Sequence, residues 1–155
     1  MRIAVLAIGR LARGPESELT RDWLGRADAQ GRRLGLGPVE LIEVESRKPG
    51  KRIEGEALIA AAGSDACLIA CDERGEALGS RAFAEMIASL RDQGERRLSF
   101  LIGGADGLSD AVRSAARRRL AFGPQTWPHA LARAMLAEQI YRAVTILGAS
   151  PYHRD

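Results

Sequence analysis

Apolar residues along this chain fall into two alternating patterns: short continuous runs, and longer stretches in which they recur every three or four positions. The runs Ile3–Gly9, Val39–Val44, Ala66–Cys71 (leading into Asp72), Leu98–Ile102 and Leu120–Phe122 have the length and continuity of buried strands. The periodic stretches read as helices. One extends from Pro15 to about Leu34, with Glu16 and Glu18 in its first turn, where the helix dipole favours acids, and with Trp23, Leu24 and Ala27 on its apolar face. A second passes through Leu58–Ala62 and ends at Gly63, after a basic turn over Ser46–Arg52. Ser80 reads as the N-cap of a third, from Arg81 to about Gln93, closed by Gly94. Ser109-Asp110 opens a fourth that runs through Arg117-Arg118-Arg119, and Pro128 opens a last one from His129 to about Leu147.

Strands alternating with helices predict an α/β fold, a mainly parallel sheet flanked by helices on both faces, built as a single domain over residues 1–155. Ligands in such sheets sit beyond the carboxyl ends of the strands. That rule singles out Asp72, Gly103-Gly104 and the segment after Phe122.

Composition narrows the picture. With 46% hydrophobic and 28% charged residues, the chain has enough apolar content for one core and a water-facing surface. No apolar run approaches the roughly 18–20 residues that span a bilayer, so no membrane segment is expected. Cys67 and Cys71, four apart on a strand, would lie roughly 13 Å from each other, too far for a disulfide. They read as reduced core residues, which fits a cytoplasmic protein. The net charge of +3 favours a polyanionic partner only mildly, although all but two of the cations (Lys48 and Lys51) are arginines, which suit phosphate forks and base stacking. Arg10, Arg13, Arg47, Lys48, Lys51 and Arg52 are expected on loops, as candidates for a basic substrate face.

Three segments carry candidate chemistry. The strand end Leu101-Ile102-Gly103-Gly104-Ala105-Asp106-Gly107-Leu108 is neither a dinucleotide fingerprint nor a P-loop; it is either a tight strand–helix turn or a loop whose glycines let a ligand approach the backbone. The Pro-fixed connection Phe122-Gly123-Pro124-Gln125-Thr126-Trp127-Pro128-His129 has free backbone groups and two aromatic rings that would suit a planar base, and is otherwise an ordinary loop. The last helix places Glu138 and Arg142 at i, i+4, a common surface pair, and the tail offers Tyr152, His153 and Arg154 in succession. Two histidines and two spaced cysteines predict no metal site, and no Gly-x-Ser-x-Gly elbow supports acyl transfer.

Three stretches taken together, Phe100–Leu108, Thr126–Arg133 running into Ala137–Ala143, and Pro151-Tyr152-His153-Arg154-Asp155, resemble the SPOUT-class ribosomal RNA large subunit methyltransferase H family, which methylates N3 of a pseudouridine in 23S ribosomal RNA. The likeness runs the length of the chain and is most specific from about Leu98 onward. It implies a C-terminal trefoil knot over roughly residues 71–147, a catalytic tail over 149–155, a homodimer, and an action on the assembled ribosome. It also implies S-adenosylmethionine as cofactor, with contacts on Cys71, Gly103, Gly104, Phe122, Gly123, Pro124, Gln125, Thr126 and Trp127. Cys71 and Trp127 stand where aliphatic residues are common in that family, Ala130 replaces a proline, and the connection around Arg52–Glu56 is shorter than usual.

On this resemblance, Tyr152 stacks on the target base, His153 holds or relays a proton, and Arg154 stabilises the anion left when the N3 proton departs. His129, Glu138 and Arg142 shape the surroundings of the cofactor, and the general base stays unassigned. One protomer's tail is expected to complete the other's pocket. Two other readings remain: a SPOUT enzyme acting on transfer RNA, and a non-enzymatic nucleotide-binding module.

Overall fold

The computed structural model describes residues 1–152. Five strands form one all-parallel sheet: β1 (Arg2–Ile8), β2 (Val39–Val44), β3 (Cys67–Ala77), β4 (Arg97–Ile102) and β5 (Arg118–Ala121), in the spatial order β2-β1-β4-β3-β5. Helices α1 (Pro15–Gly31), α3 (Ser80–Asp92) and α5 (His129–Leu147) cover one face, and α2 (Lys51–Ala62) and α4 (Asp110–Ala115) the other.

Successive strand residues point to opposite faces, and both faces are covered, which is why β1 after Arg2, β4 after Arg97 (Ser99 apart) and the first residues of β3 are apolar rather than alternating, while the edge strands β2 and β5 carry charged residues. Ile3, Val5 and Ala7 of β1 join Phe100, Ile69 and the apolar residues of α1, α3 and α5 in the larger core. Ala4, Leu6 and Ile8 join Leu101, Leu68 and Ala70 with Leu58 and Ala62 of α2 and Val112 of α4 in the smaller one. The strand order has a direct consequence for function. Because β3 lies between β4 and β5, the carboxyl ends of these three strands are neighbours, although they are far apart in sequence.

Several predicted boundaries move. α1 ends at Gly31 and a 3₁₀ turn, Arg32–Leu34, completes the segment. Lys51 and Arg52 form the first turn of α2 rather than a loop, because the chain leaves the Pro49-Gly50 turn directly into the helix. Ser80 is the first residue of α3, with Gly79 as N-cap; its hydroxyl is drawn away to the Gln139 side-chain oxygen at 2.9 Å. Ser109 does cap α4, its Oγ accepting from the Val112 amide. α4 stops at Ala115, and Arg118 and Arg119 pair as edge strand β5 with Ile69 and Ala70 instead of continuing the helix. Pro128 is the N-cap of α5 rather than its first turn, and Phe122 falls just outside β5.

The largest departure is β3. Both Cys71 and Glu76 pair with Leu120, so Asp72–Gly75 bulge out of the strand opposite a single residue of β5. Gly75 makes this register shift feasible. A Cβ there would lie 2.6 Å from the Leu120 amide nitrogen and 2.7 Å from the Arg119 carbonyl carbon, so only glycine lets the returning strand lie against β5.

Candidate active site

The three strand ends enclose one cavity of about 740 Å³. β3 contributes Cys71 and the bulged Asp72, Glu73 and Arg74; the turn after β4 contributes Ile102 through Leu108; the connection after β5 contributes Phe122 and Gln125 through Pro128; and α5 contributes His129 and Ala132. Lys51, at the start of α2, closes another side.

Each wall has a local cause. In the turn after β4, the Gly107 amide donates to the Gly104 carbonyl at 3.0 Å, folding the loop back on itself. The fold is so tight that a Cβ on Gly103 would stand 2.6 Å from the Gly107 carbonyl carbon and 2.7 Å from its oxygen. The glycine thus presents bare backbone to the cavity. The connection after β5 is held shut by the Trp127 indole, whose Nε1 donates to the Phe122 carbonyl at 3.1 Å, and is tied to the bulge by Thr126 Oγ1 donating to Glu73 Oε2 at 2.8 Å. Burial pushes the Cys71 thiol up to about 12, so at neutral pH it is an uncharged, unreactive part of the wall.

Asp72 is the electrostatic centre of the bulge. It accepts from the Arg74 amide at 2.9 Å and from the Arg113 guanidinium, which also reaches Asp110 at 2.9 Å. Burial works to raise the Asp72 carboxyl, yet the Arg74 amide and the Arg113 cation outweigh it and hold the group below the usual carboxylate range. The folded state therefore binds fewer protons at this site than the unfolded state. The resulting stability is fully present above the ordinary value of 3.8 and is lost as the pH falls through the lowered folded value. Replacing Asp72 with asparagine should flatten the stability–pH curve below about pH 4; urea unfolding between neutral pH and pH 3 measures this, and an unchanged curve would show that the pair contributes nothing.

Of the predicted cofactor residues, Cys71, Gly103, Gly104, Phe122, Gln125, Thr126 and Trp127 line the cavity, while Gly123 and Pro124 lie in the same connection without lining it. Among the predicted catalytic residues, His129 lines it. Glu138, Arg142 and Tyr152 form a separate cluster. Glu138 Oε1 accepts from Arg142 Nε and NH2 at 3.0 and 2.7 Å and from the Tyr152 hydroxyl at 3.1 Å. The Arg142 guanidinium lies 5.1 Å from the centre of the Tyr152 ring, which also packs against Tyr141 and Trp23. Burial and the Glu138 carboxylate raise the Tyr152 phenol, which stays protonated at neutral pH. Nine residues of helix, about 13 Å, separate Glu138 from His129. His153 and Arg154 lie outside the described residues.

Sequence reasoning did not find Glu73, Arg74 or Arg113. The charged run Asp72-Glu73-Arg74 directly after a buried strand is the one sequence signal for the first two, and nothing local marks Arg113. Among the described residues, no group of three or more His, Cys, Asp or Glu side chains could hold a metal ion, and no helix is long and apolar enough to cross a membrane.

The family model described as "Predicted SPOUT methyltransferase" matches residues 1–153. The chain is similar to the ribosomal RNA large subunit methyltransferase H of Phenylobacterium zucineum (70% identity, covering 100% of both chains) and to that of Caulobacter sp. strain K31 (61%, again 100% of both). Among solved structures it is similar to a probable methylase family protein from Haemophilus influenzae, with a TM-score of 0.55 and 14% identity over 99% of this chain and 70% of the other. A probable methyltransferase from Bordetella pertussis aligns with a TM-score of 0.50 and 17% identity over 92% of this chain and 96% of the other. At these identities the two structures speak to the shared fold alone.

Proposed function

The chain belongs to the SPOUT methyltransferase family, and from that premise we propose that it transfers the methyl group of S-adenosylmethionine to N3 of a pseudouridine in 23S ribosomal RNA, on the ribosome, in the cytoplasm and as a homodimer. The observation that carries this reading is the convergence of the ends of β3, β4 and β5 on a single cavity with a bare-backbone wall at Gly103.

The cavity suits the cofactor. Its volume falls within the usual range for small-molecule sites, roughly 300–1,000 Å³. Cys71, Ile102, Leu120, Ala121 and Phe122 supply apolar surface for an adenine ring, while the backbone from Phe122 to Trp127 offers amides and carbonyls to its edge. When bound, the cofactor supplies an electrophilic methyl group on a sulfonium. The protein's own residues then supply mostly position, which can lower a barrier by roughly 7–11 kcal/mol. Asp72 and Glu73 offer carboxylates that favour a cationic ligand, and Lys51 offers a partner for a carboxylate.

Within one protomer, Tyr152 lies against Glu138 and Arg142 and not in the cavity beside its own strand ends. This supports a two-protomer site in which the residues from Tyr152 onward complete the partner's cavity. In that arrangement the neutral Tyr152 ring stacks on the base, His153 takes or passes the N3 proton, and Arg154 faces the anion. We read the whole chain as one domain, with the knot over roughly 71–147 and the tail over 149–155.

Calorimetric titration with S-adenosylmethionine tests the cofactor, and labelled-methyl incorporation into ribosomes and into transfer RNA tests the substrate. We expect one cofactor site per cavity and label in 23S RNA only. Deleting Tyr152–Asp155 should abolish incorporation and leave the titration intact. A flat titration with the full chain would overturn the cofactor assignment; label in transfer RNA would move the substrate; and loss of binding on tail deletion would refute the division of labour.

A further inference from the structure

A second concavity, of about 570 Å³, lies along the β3–β5 edge of the sheet, lined by Arg74, Gly75 and Glu76 of β3, by Arg113, Ser114 and Ala116 of α4 and its exit, and by Arg117, Arg118 and Arg119. Five of its nine lining residues are arginines and one is a carboxylate. Arg74 and Arg113 line this groove and the methyl-donor cavity alike, so the two are continuous.

The arginines are not equivalent. Arg113 is committed to Asp72 and Asp110, and Arg117 to Glu95 and Gln93 at 2.7 and 2.8 Å. Arg118 has an exposed ion pair with Glu76 at 3.3 Å, of a kind that holds little energy in water. Arg74 and Arg119 are exposed, and among the described residues no carboxylate forms an ion pair with either side chain. Two guanidiniums without a close ion pair, of which Arg119 is near enough to help hold the Asp72 carboxyl low, and a third held loosely thus border a groove that opens into the cavity. Guanidinium groups match phosphate oxygens in bidentate geometry. Of the basic residues that the sequence suggested, none lines this groove, and only Lys51 lines the cavity.

We propose that this groove seats the phosphodiester backbone of the RNA beside the target base, with Arg74 and Arg119 as the principal phosphate ligands and Arg118 exchanging Glu76 for a phosphate. The proposal rests on the reading of the chain as an RNA methyltransferase and names the surface that delivers the RNA. Charged side chains also protect an edge strand from pairing with another chain, a role that any charge fulfils and that makes no demand on RNA affinity.

The test compares the wild type, the double variant Arg118→Gln/Arg119→Gln, whose arginines line the groove but not the cavity, and Arg96→Gln, an exposed arginine just before β4 that lines neither. Binding to purified 70S ribosomes is measured across a salt series, alongside calorimetry with S-adenosylmethionine. Removing one arginine–phosphate pair lowers the slope of log K against log salt by about 1. The slope of the double variant should therefore be shallower by about 2, and its binding at least about tenfold weaker near 0.1 M salt, with its cofactor titration unchanged; Arg96→Gln should match the wild type. Unchanged ribosome affinity and slope in the double variant, or an equal weakening in Arg96→Gln, overturns the groove while leaving the enzyme assignment standing. Loss of ribosome binding in the double variant, together with a wild type that methylates no ribosomal RNA, supports the groove and overturns the enzyme assignment.

Discussion

Replacing Gly103 with alanine should weaken S-adenosylmethionine binding by roughly 5- to 140-fold, from an overpacking cost of about 1–3 kcal/mol at about 1.4 kcal/mol per decade. The new methyl would stand 2.6 Å from the Gly107 carbonyl carbon, 2.7 Å from its oxygen and 3.0 Å from the Leu108 nitrogen. All three are backbone atoms of the turn that forms the cavity wall, so no side chain can swing aside to make room. The turn itself must open, and it carries Ala105 through Leu108 of the lining with it. Gly104 provides the contrast. A methyl there would meet Glu54 Oε2 at 2.8 Å, the far end of a side chain that can rotate, and Ile8 Cγ2 at 3.3 Å. Gly104→Ala should therefore bind the cofactor more tightly than Gly103→Ala, and calorimetry on the two variants measures the difference. Wild-type affinity in Gly103→Ala would remove the glycine turn from the cofactor site.

This contrast also shows where the sequence is informative. A buried strand ending in Gly103-Gly104 announces a close backbone approach, and the rule that ligands sit at the carboxyl ends of parallel strands points to the same place. Both signals are local, as are the ones that place β1, β2 and α5. The errors arise where pairing across the sheet overrides local preference. Arg117, Arg118 and Arg119 follow α4 without a glycine or proline and suit a helix in isolation; the ladder to Ile69, Ala70 and Cys71 takes two of them into β5. Asp72–Ala77 has no apolar alternation to mark a strand, and becomes one because Glu76 and Ala77 find Leu120 and Ala121. The Asp72–Arg113 pair spans 41 positions, beyond any spacing rule. The arginine groove depends on all three of these features, and a sequence reading that places Arg117–Arg119 on a helix disperses it.

Replacing the buried Arg133 with methionine should cost about 3–5 kcal/mol, the range for breaking a buried charge interaction from one side. Its side chain is 0% exposed. From α5 it reaches the carboxyl end of β1, where NH1 donates to the Gly9 carbonyl at 3.0 Å and NH2 to the Ile8 carbonyl. Glu43 lies 3.8 Å from NH1 and itself accepts from the Leu11 amide at 2.6 Å. Burial lowers the Arg133 pKa and Glu43 opposes that effect; a guanidinium remains charged throughout the neutral range. Methionine fills much of the volume but strands two carbonyls that the cation had satisfied and leaves the Glu43 carboxylate without its counter-charge. At about 2–4 °C per kcal/mol for a chain of this size, the loss corresponds to a fall in Tm of roughly 6–20 °C. Removing the stranded carboxylate in the double variant Arg133→Met/Glu43→Gln should recover part of it, because residues that share an interaction are not additive. The defect should also reach the cofactor, since the end of β1 lies beside the glycine turn: a Cβ on Gly104 would stand 3.3 Å from Ile8 Cγ2. A melting curve within about 2 °C of the wild type, less than 1 kcal/mol costs on this scale, would mean that water replaces the guanidinium at no cost and that β1 and α5 are held together by apolar packing alone.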